Sequence, residues 1–202
     1  MPVRCSAVAR RRPARTLLAA DAAAADAARP YQGSAAMTAL GHFASLGDQP
    51  PLRVLCASVI LAGLVGGDRR LARAGWRMLA AHSLATFAKD FVKRRVDRTR
   101  PRSRGRRGKD HVPRPGRSEA KEETSFPSGH SAGAAAIARA FARDYPEHSA
   151  PAHAAAAALA LAQIPRCAHY PSDVGAGLVI GVAAEAAVDI AFRLVEERRS
   201  PE

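Results

Sequence analysis

The sequence predicts an all-α protein. Hydrophobic residues make up 48% of the chain, but many of them are alanine, and aromatic residues reach only 5%. Alanine favours helices, whereas strands are rich in the β-branched and aromatic residues that are scarce here. Apolar stretches bounded by glycine and proline give the second indication, because these residues commonly lie at the ends of helices. For 202 residues we expect one main domain, a bundle of about five to six helices.

The predicted helices begin at residue 34. Residues 34–46 form the first, ended by Gly47 and the Pro50-Pro51 pair, and a mainly apolar run follows over residues 52–67. Residues 94–124 are polar and contain three prolines, so we expect a loop there, with residues 102–124 as its basic part near the active site. The remaining helices are predicted over residues 76–92, 131–143, 151–164 and 172–197.

Residues 1–33 form a basic, alanine-rich segment. Its apolar run is interrupted by Asp21 and Asp26, whereas a signal peptide needs an unbroken apolar region. We therefore expect a tail that is either disordered or a surface helix, outside a helical domain of residues 34–197.

The net charge of +13 is unevenly distributed. Residues 93–121 hold thirteen Lys or Arg residues against three acidic ones. Such a block indicates an anionic partner, which is a phosphate ester, a lipid headgroup or a nucleic acid, unless it is only a solvated loop. The cysteines Cys5, Cys56 and Cys167 are widely spaced and form no metal-binding pattern.

Hydropathy alone does not decide whether the protein inserts into a membrane. No apolar run reaches the roughly 20 residues that a membrane helix requires, and the mean hydropathy is −0.16. Spans would have to include His82, Lys89, Glu185 or Asp189, whose side chains would then face the interior of the bundle.

Three short segments carry groups suited to phosphate chemistry. Lys93 precedes Arg100-Pro101 by seven positions, Pro127-Ser128-Gly129-His130 lies where the loop becomes a helix, and Asp173 follows His169 by four positions. Both histidines are therefore expected at helix N-termini, which favour bound anions. A carboxylate beside His169 would fix its tautomer and leave the other ring nitrogen to attack phosphorus. His130 would then act as the general acid.

Taken together, the segments resemble the type-2 phosphatidic acid phosphatase superfamily, which includes bacterial acid phosphatases and vanadium haloperoxidases. The family signature is K-x6-R-P, P-S-G-H and S-R-x5-H-x3-D; the first two parts match fully, and His169 and Asp173 match the third. The resemblance covers about residues 76–190. It implies an acid phosphatase/vanadium haloperoxidase-like helical core, a phosphohistidine on His169, and no metal or cofactor. It also implies phosphate binding by Lys93, Arg100 and the backbone N–H groups of Ser128 and Gly129.

The third part of the signature is incomplete. The serine and arginine of the family fall at Ala162 and Gln163, and a glutamine carries no positive charge. Our hypothesis is that Arg166, about one helical turn later, supplies the missing cation. The alternatives are that Arg166 only contacts a carbonyl or a headgroup, or that the site is inactive.

The resemblance implies a metal-independent hydrolase of a lipid phosphate or a polyprenyl pyrophosphate. It further implies a multi-pass protein among the lipids of the bacterial cytoplasmic membrane, with the active site on the outer face. The rival interpretation is a non-catalytic membrane or nucleic-acid-binding protein that uses the basic loop. Because the loop has no interleaved aromatic residues or zinc ligands, no nucleic acid is expected as a partner.

Overall fold

The computed structural model describes the backbone of residues 5–104 and 111–199 and the side chains of residues 15–104 and 111–198. Within this part the chain forms seven α-helices, which confirms the predicted all-α class; six of them follow residue 34, and α1 occupies the predicted tail. Residues 1–4 of that tail and residues 105–110 of the predicted basic loop lie outside the described residues. The helices are α1 (Cys5–Ala28), α2 (Ala35–Ser45), α3 (Gln49–Val65), α4 (Arg69–Lys93), α5 (Gly129–Asp144), α6 (Ser149–Leu161) and α7 (Pro171–Arg199).

The helix starts follow capping chemistry. The Ser34 hydroxyl caps α2 by accepting from the N–H of Met37 at 3.2 Å. The Asp68 carboxylate caps α4 by accepting from the N–H of Leu71 at 3.0 Å. A side-chain acceptor at this position satisfies one of the free N–H groups of the first turn.

Two predicted boundaries were wrong. The fourth helix starts at Arg69 and not near Trp76, because the Asp68 cap brings the basic segment into the helix. The Pro50-Pro51 pair belongs to the first turn of α3 and does not end α2. Proline suits that position because first-turn N–H groups have no intrahelical partner to lose.

Helices α4, α5 and α7 pack against one another, with α3 on α4 and α6 on α5. The buried core is mainly alanine. Two glycines bring α7 against the backbone of α5: a β-carbon at Gly177 would lie 2.4 Å from the Ser128 carbonyl oxygen, and one at Gly181 would lie 2.4 Å from that of Ala132. Small residues four apart allow this close approach, which explains how a chain with few aromatic residues packs its helices.

The segment between α4 and α5 is the predicted loop, with little regular structure. Strands β1 (Val96–Asp97) and β2 (Arg114–Pro115) pair antiparallel, and Arg98 forms a parallel bridge with Thr124. This bridge ties the chain after α4 to the chain before α5, so both are fixed at the same end of the bundle.

Buried charges cluster at the opposite end of the bundle. Arg77 contacts Asp189 at 2.7 Å and Asp144 at 3.4 Å, and Glu185 contacts Arg139 at 2.9 Å and Arg143 at 2.8 Å. These pairs join α4, α5 and α7, so the carboxylates of α7 have a structural role here.

The outer surface of the bundle is apolar along three stretches: residues 54–67 in α3 and the turn after it, 74–88 of α4 and 174–190 of α7. Every charged side chain within them is buried. Among the described residues, no single helix is long and apolar enough to cross a membrane, whereas α2 and α3 meet that criterion as a pair bent by 45°. The largest exposed apolar side chains of these stretches are Val54, Leu55, Leu61, Leu64, Val65, Trp76, Leu84, Phe87, Val179, Val182 and Ile190.

Candidate active site

Three helix ends meet at one end of the bundle and enclose a cavity of about 290 Å³. They are the C-terminus of α4 at Lys93 and the N-termini of α5 and α7. The two predicted histidines face each other here, with ring centroids 6.5 Å apart. The fold therefore brings together residues that are up to 76 positions apart, Lys93 and His169.

His169 lies in the turn between α6 and α7. Two residues earlier, Cys167 adopts the left-handed backbone conformation (φ 50°), which is uncommon for a non-glycine residue and redirects the chain. The His169 Nδ1 atom is 2.7 Å from the carbonyl oxygen of Ser125. Because a carbonyl only accepts, Nδ1 carries the proton and Nε2 is left as the unprotonated nitrogen. Burial lowers the pKa of His169, so the ring is neutral at neutral pH.

His130 is the second residue of α5 and lies across the cavity. Burial lowers its pKa to about 4, even though Asp48 acts in the opposite direction. Its Nε2 atom is 2.9 Å from Oδ1 of Asp48, in the connection between α2 and α3. Within the described residues Asp48 is the single acidic side chain that lines the cavity. Sequence reasoning missed it, since nothing in the pattern connects residues 48 and 130.

Asp173 is fully buried in the first turn of α7. Its carboxylate accepts from the Arg98 guanidinium, from the Ser125 hydroxyl at 2.5 Å and from the Tyr170 N–H at 2.9 Å. The carboxylate is 3.7 Å from Nδ1 of His169, beyond hydrogen-bond distance. Burial alone would raise the pKa of Asp173, but His169 and Arg98 lower it overall. Asp173 therefore acts on His169 through its charge, while Ser125 fixes the tautomer.

Among the residues that the structure describes, six cationic side chains line the cavity: Lys89, Lys93, Arg100, Arg102, Lys121 and Arg166. Burial, with the neighbouring charges of Arg100 and Lys89, lowers the pKa of Lys93 to about 8. Arg100 is held in place by three backbone carbonyls, those of Lys121 at 2.7 Å, Ala168 at 3.3 Å and Thr124 at 3.4 Å. Such a concentration of positive charge is suited to a phosphate.

Arg166 reaches this cavity, as the replacement hypothesis requires. Its Nη1 donates to the Gln163 side-chain oxygen at 3.2 Å. Gln163 is itself fully buried and donates to the Leu159 carbonyl at 3.0 Å. Gln163 occupies the position of the family's arginine, and it orients Arg166, which lies three residues later.

The predicted phosphate contact of Ser128 is wrong. Its N–H donates to the Asp173 carbonyl at 3.0 Å, and its hydroxyl accepts from Ser131 at 2.9 Å within the first turn of α5. The N–H joins α5 to α7 and the hydroxyl caps α5, so Ser128 shapes the site and does not face the anion. Gly129 does line the cavity, at the first position of α5.

Sequence reasoning also missed Lys89, Arg98 and Ser125. Lys89 belongs to no motif, and Arg98 and Ser125 are each two residues away from a motif position. These residues reach the site because the loop folds back onto the helix ends, and the spacing of the sequence motifs does not predict that. Among the described residues, no group of three His, Cys, Asp or Glu side chains is arranged to hold a metal ion.

Solved structures of known proteins that share this fold include the following two. The crystal structure of LpxE from Aquifex aeolicus is 21% identical, with a TM-score of 0.60, and the match covers 81% of this chain and 91% of that chain. The crystal structure of the first transmembrane PAP2 type phosphatidylglycerolphosphate phosphatase, from Bacillus subtilis, is 20% identical with a TM-score of 0.60, covering 89% of this chain and 88% of that chain. No curated protein matches the sequence.

The family assignment comes from the sequence itself. Residues 74–197, more than half of the chain, match the family model of the PAP2 superfamily. This range contains both histidines and the six cationic side chains that line the cavity in the described part of the chain. The chain therefore belongs to the PAP2 superfamily.

Proposed function

We propose that this protein is a metal-independent phosphatase that acts on a lipid phosphate or a polyprenyl pyrophosphate through a phosphohistidine on His169. The observation that carries the proposal is the pair of neutral imidazoles, His169 and His130, facing each other across a cavity lined by six cations. Membership of the PAP2 superfamily and the fold shared with LpxE and with a phosphatidylglycerolphosphate phosphatase support it.

In the first step, Lys93, Arg100 and Arg166 hold the phosphate oxygens. The lone pair of His169 Nε2 forms a bond to phosphorus, and the bond from phosphorus to the leaving oxygen breaks. The leaving oxygen keeps the electron pair of the broken bond and accepts a proton from His130. The bound phosphate favours the protonated form of His130, because its negative charge opposes the burial that lowers this pKa. To accept this proton, the leaving oxygen has to replace Asp48 as the partner of His130 Nε2. The Asp48 side chain is half-exposed.

In the second step, water attacks the phosphohistidine. Neutral His130 accepts the proton of the water, a phosphorus–oxygen bond forms, and the phosphorus–nitrogen bond returns its electrons to Nε2. The products are an alcohol, or a shorter phosphate, and inorganic phosphate. The Asp173 carboxylate stabilises the His169 ring while it carries positive charge.

The surface supports a membrane setting for this reaction. With buried charges and exposed apolar side chains, the stretches 54–67, 74–88 and 174–190 suit a lipid environment. Lys93, His130 and His169 lie beyond these stretches, where a headgroup would meet water. We propose a multi-pass arrangement with this end on the outer face.

A second cavity, of about 830 Å³, adjoins the site at Lys93. Phe87 and Phe91 of α4 line it. Among its described lining residues, the cations, which include Arg94 and Arg117, outnumber the two carboxylates, Asp90 and Glu119. Apolar and cationic groups side by side suit a phosphate attached to a lipid chain, which supports the proposed substrate class.

The proposed function is tested by phosphate release from a panel of substrates. The purified protein in detergent is given phosphatidic acid, phosphatidylglycerol phosphate, a polyprenyl pyrophosphate and glycerol phosphate. We expect release from at least one lipid, little from glycerol phosphate, full activity in excess EDTA and inhibition by vanadate, which resembles five-coordinate phosphorus. Complete loss in EDTA, restored by a divalent ion, would contradict the metal-independent mechanism.

Arg166 gives a more local prediction. Changing Arg166 to Gln is expected to raise KM about tenfold with a smaller change in kcat, because a cation is lost in ground state and transition state alike. The matched control is Arg193→Gln, which removes an exposed cation of α7 that pairs with Asp189 and lies outside both cavities. An unchanged KM in Arg166→Gln would mean that Arg166 does not replace the family's arginine.

A further inference from the structure

Helix α1 places a carboxylate beside the catalytic residues. Asp21 is 1% exposed, and Arg98 and Asp173 are 2% and 0% exposed. Oδ2 of Asp21 accepts from Arg98 Nη2 at 2.6 Å and from the Ser172 hydroxyl at 2.5 Å, while Oδ1 accepts from the Ser172 N–H at 3.0 Å. Asp21 lies outside residues 74–197, which match the family model.

Other contacts hold α1 and the turn after it in this place. The carbonyl of Leu18 is 3.1 Å from Nε2 of His111, and the carbonyl of Ala22 accepts from Arg104 at 3.2 Å. The Gln32 side chain donates to the Pro165 carbonyl at 3.0 Å, in the turn that carries His169. The predicted tail is therefore anchored to both segments that form the site.

The buried charged side chains of Asp21, Arg98 and Asp173 contact one another in series. Arg98 lies between two carboxylates, Asp21 and Asp173, and donates to both. Asp173 in turn lies 3.7 Å from His169. In a buried environment, charges at such distances act strongly on one another. Arg98 divides its charge between two partners, so Asp173 keeps negative potential for the His169 ring.

We propose that Asp21 is a positioning residue, which tunes His169 through Arg98 and Asp173 and makes α1 part of the active site. This inference rests on the proposed function. Without the Asp21 charge, Arg98 would be neutralised by Asp173 alone, which weakens the support of Asp173 for positive charge on His169. The same carboxylate binds the Ser172 N–H at the start of α7, where the helix dipole favours a negative group.

The test is Asp21→Asn, which keeps the shape and removes the charge. We expect kcat to fall about tenfold, the scale typical for loss of an outer hydrogen-bond partner, with KM unchanged. We also expect the acid limb of the kcat/KM profile to move to lower pH. The sign follows because removing a nearby negative charge lowers the pKa of His169, so the ring stays neutral further into acid.

The matched control is Asp26→Asn, five residues along the same helix. Asp26 contacts Arg104 at 3.3 Å, but its side chain is 55% exposed, and exposed pairs contribute little. We expect wild-type kcat, KM and pH profile. If Asp21→Asn behaves like Asp26→Asn, or loses kcat without a shift of the acid limb, the inference is wrong.

A second variant covers the case in which Asp21→Asn does not fold. Asp21→Glu retains the charge and is expected to keep the acid limb at the wild-type pH; a shifted limb in this variant would overturn the inference. Failure of the proposed function is recognised separately, by a wild-type protein that releases no phosphate, and the inference would fall with it.

Discussion

Replacing His169 with asparagine is expected to lower kcat for phosphate release by about 10⁴-fold or more, the scale seen when a covalent nucleophile is removed. The asparagine amide can still donate to the Ser125 carbonyl, which accepts from Nδ1 of His169 at 2.7 Å in the structure. The cavity and its cations should therefore remain, and only the attacking nitrogen is lost. The measurement is phosphate release from the best substrate of the panel.

The matched control is His153→Asn. His153 is an exposed histidine of α6 whose ring contacts the Ser149 carbonyl at 2.7 Å, outside the cavity. It should leave kcat and KM unchanged. Substantial activity in His169→Asn would exclude this residue as the nucleophile. A wild-type protein with no activity to lose would favour the rival interpretation, a non-catalytic protein that uses its basic loop.

Replacing Gly177 with alanine should have the second large effect, although Gly177 does not line the cavity. Its β-carbon would lie 2.4 Å from the Ser128 carbonyl oxygen and 3.0 Å from the β-carbon of Ser131. A backbone oxygen cannot turn away, so α7 and the start of α5 must separate. Overpacking of this kind costs about 1–3 kcal/mol of stability. Because the shift moves His130 relative to His169, we expect kcat to fall about 100-fold.

Gly175 provides the control on the same helix. A β-carbon there meets nothing within 4 Å, and alanine favours the helix by about 1 kcal/mol over glycine. We expect Gly175→Ala to keep wild-type kcat and to unfold at the same or a slightly higher temperature. Equal behaviour of the two variants in thermal unfolding and in kcat would show that the contact between α5 and α7 does not set the geometry of the site.

The helices were predictable because local chemistry decides them. Alanine-rich stretches become helices wherever a capping side chain starts them, as Ser34 and Asp68 do for α2 and α4. The two wrong boundaries have the same origin. The Asp68 cap starts α4 before its apolar stretch, and the Pro50-Pro51 pair suits a helix start as well as a helix end. These were mistakes about boundaries, and the number of helices after residue 34 agrees with the prediction.

The site was predictable only as far as its motifs extend. His130, His169 and Arg100 carry a spacing that the sequence displays. Asp48 and Asp21 reach the site through tertiary folding alone, from segments that precede the first motif by tens of residues. Ser128 is the reverse case: it occupies its motif position, but its N–H does not make the predicted contact with phosphate. The N–H expected at the phosphate is used to hold α7.

The proposed mechanism depends most on the covalent intermediate at His169. In His130→Asn with p-nitrophenyl phosphate, the leaving group departs without a proton, whereas hydrolysis of the intermediate lacks its base. The phosphoenzyme should therefore accumulate. After an alkaline quench, which preserves phosphohistidine, peptide mapping by mass spectrometry should place one phosphate on His169. Turnover with no phosphoenzyme, or phosphate on a different residue, would contradict the mechanism.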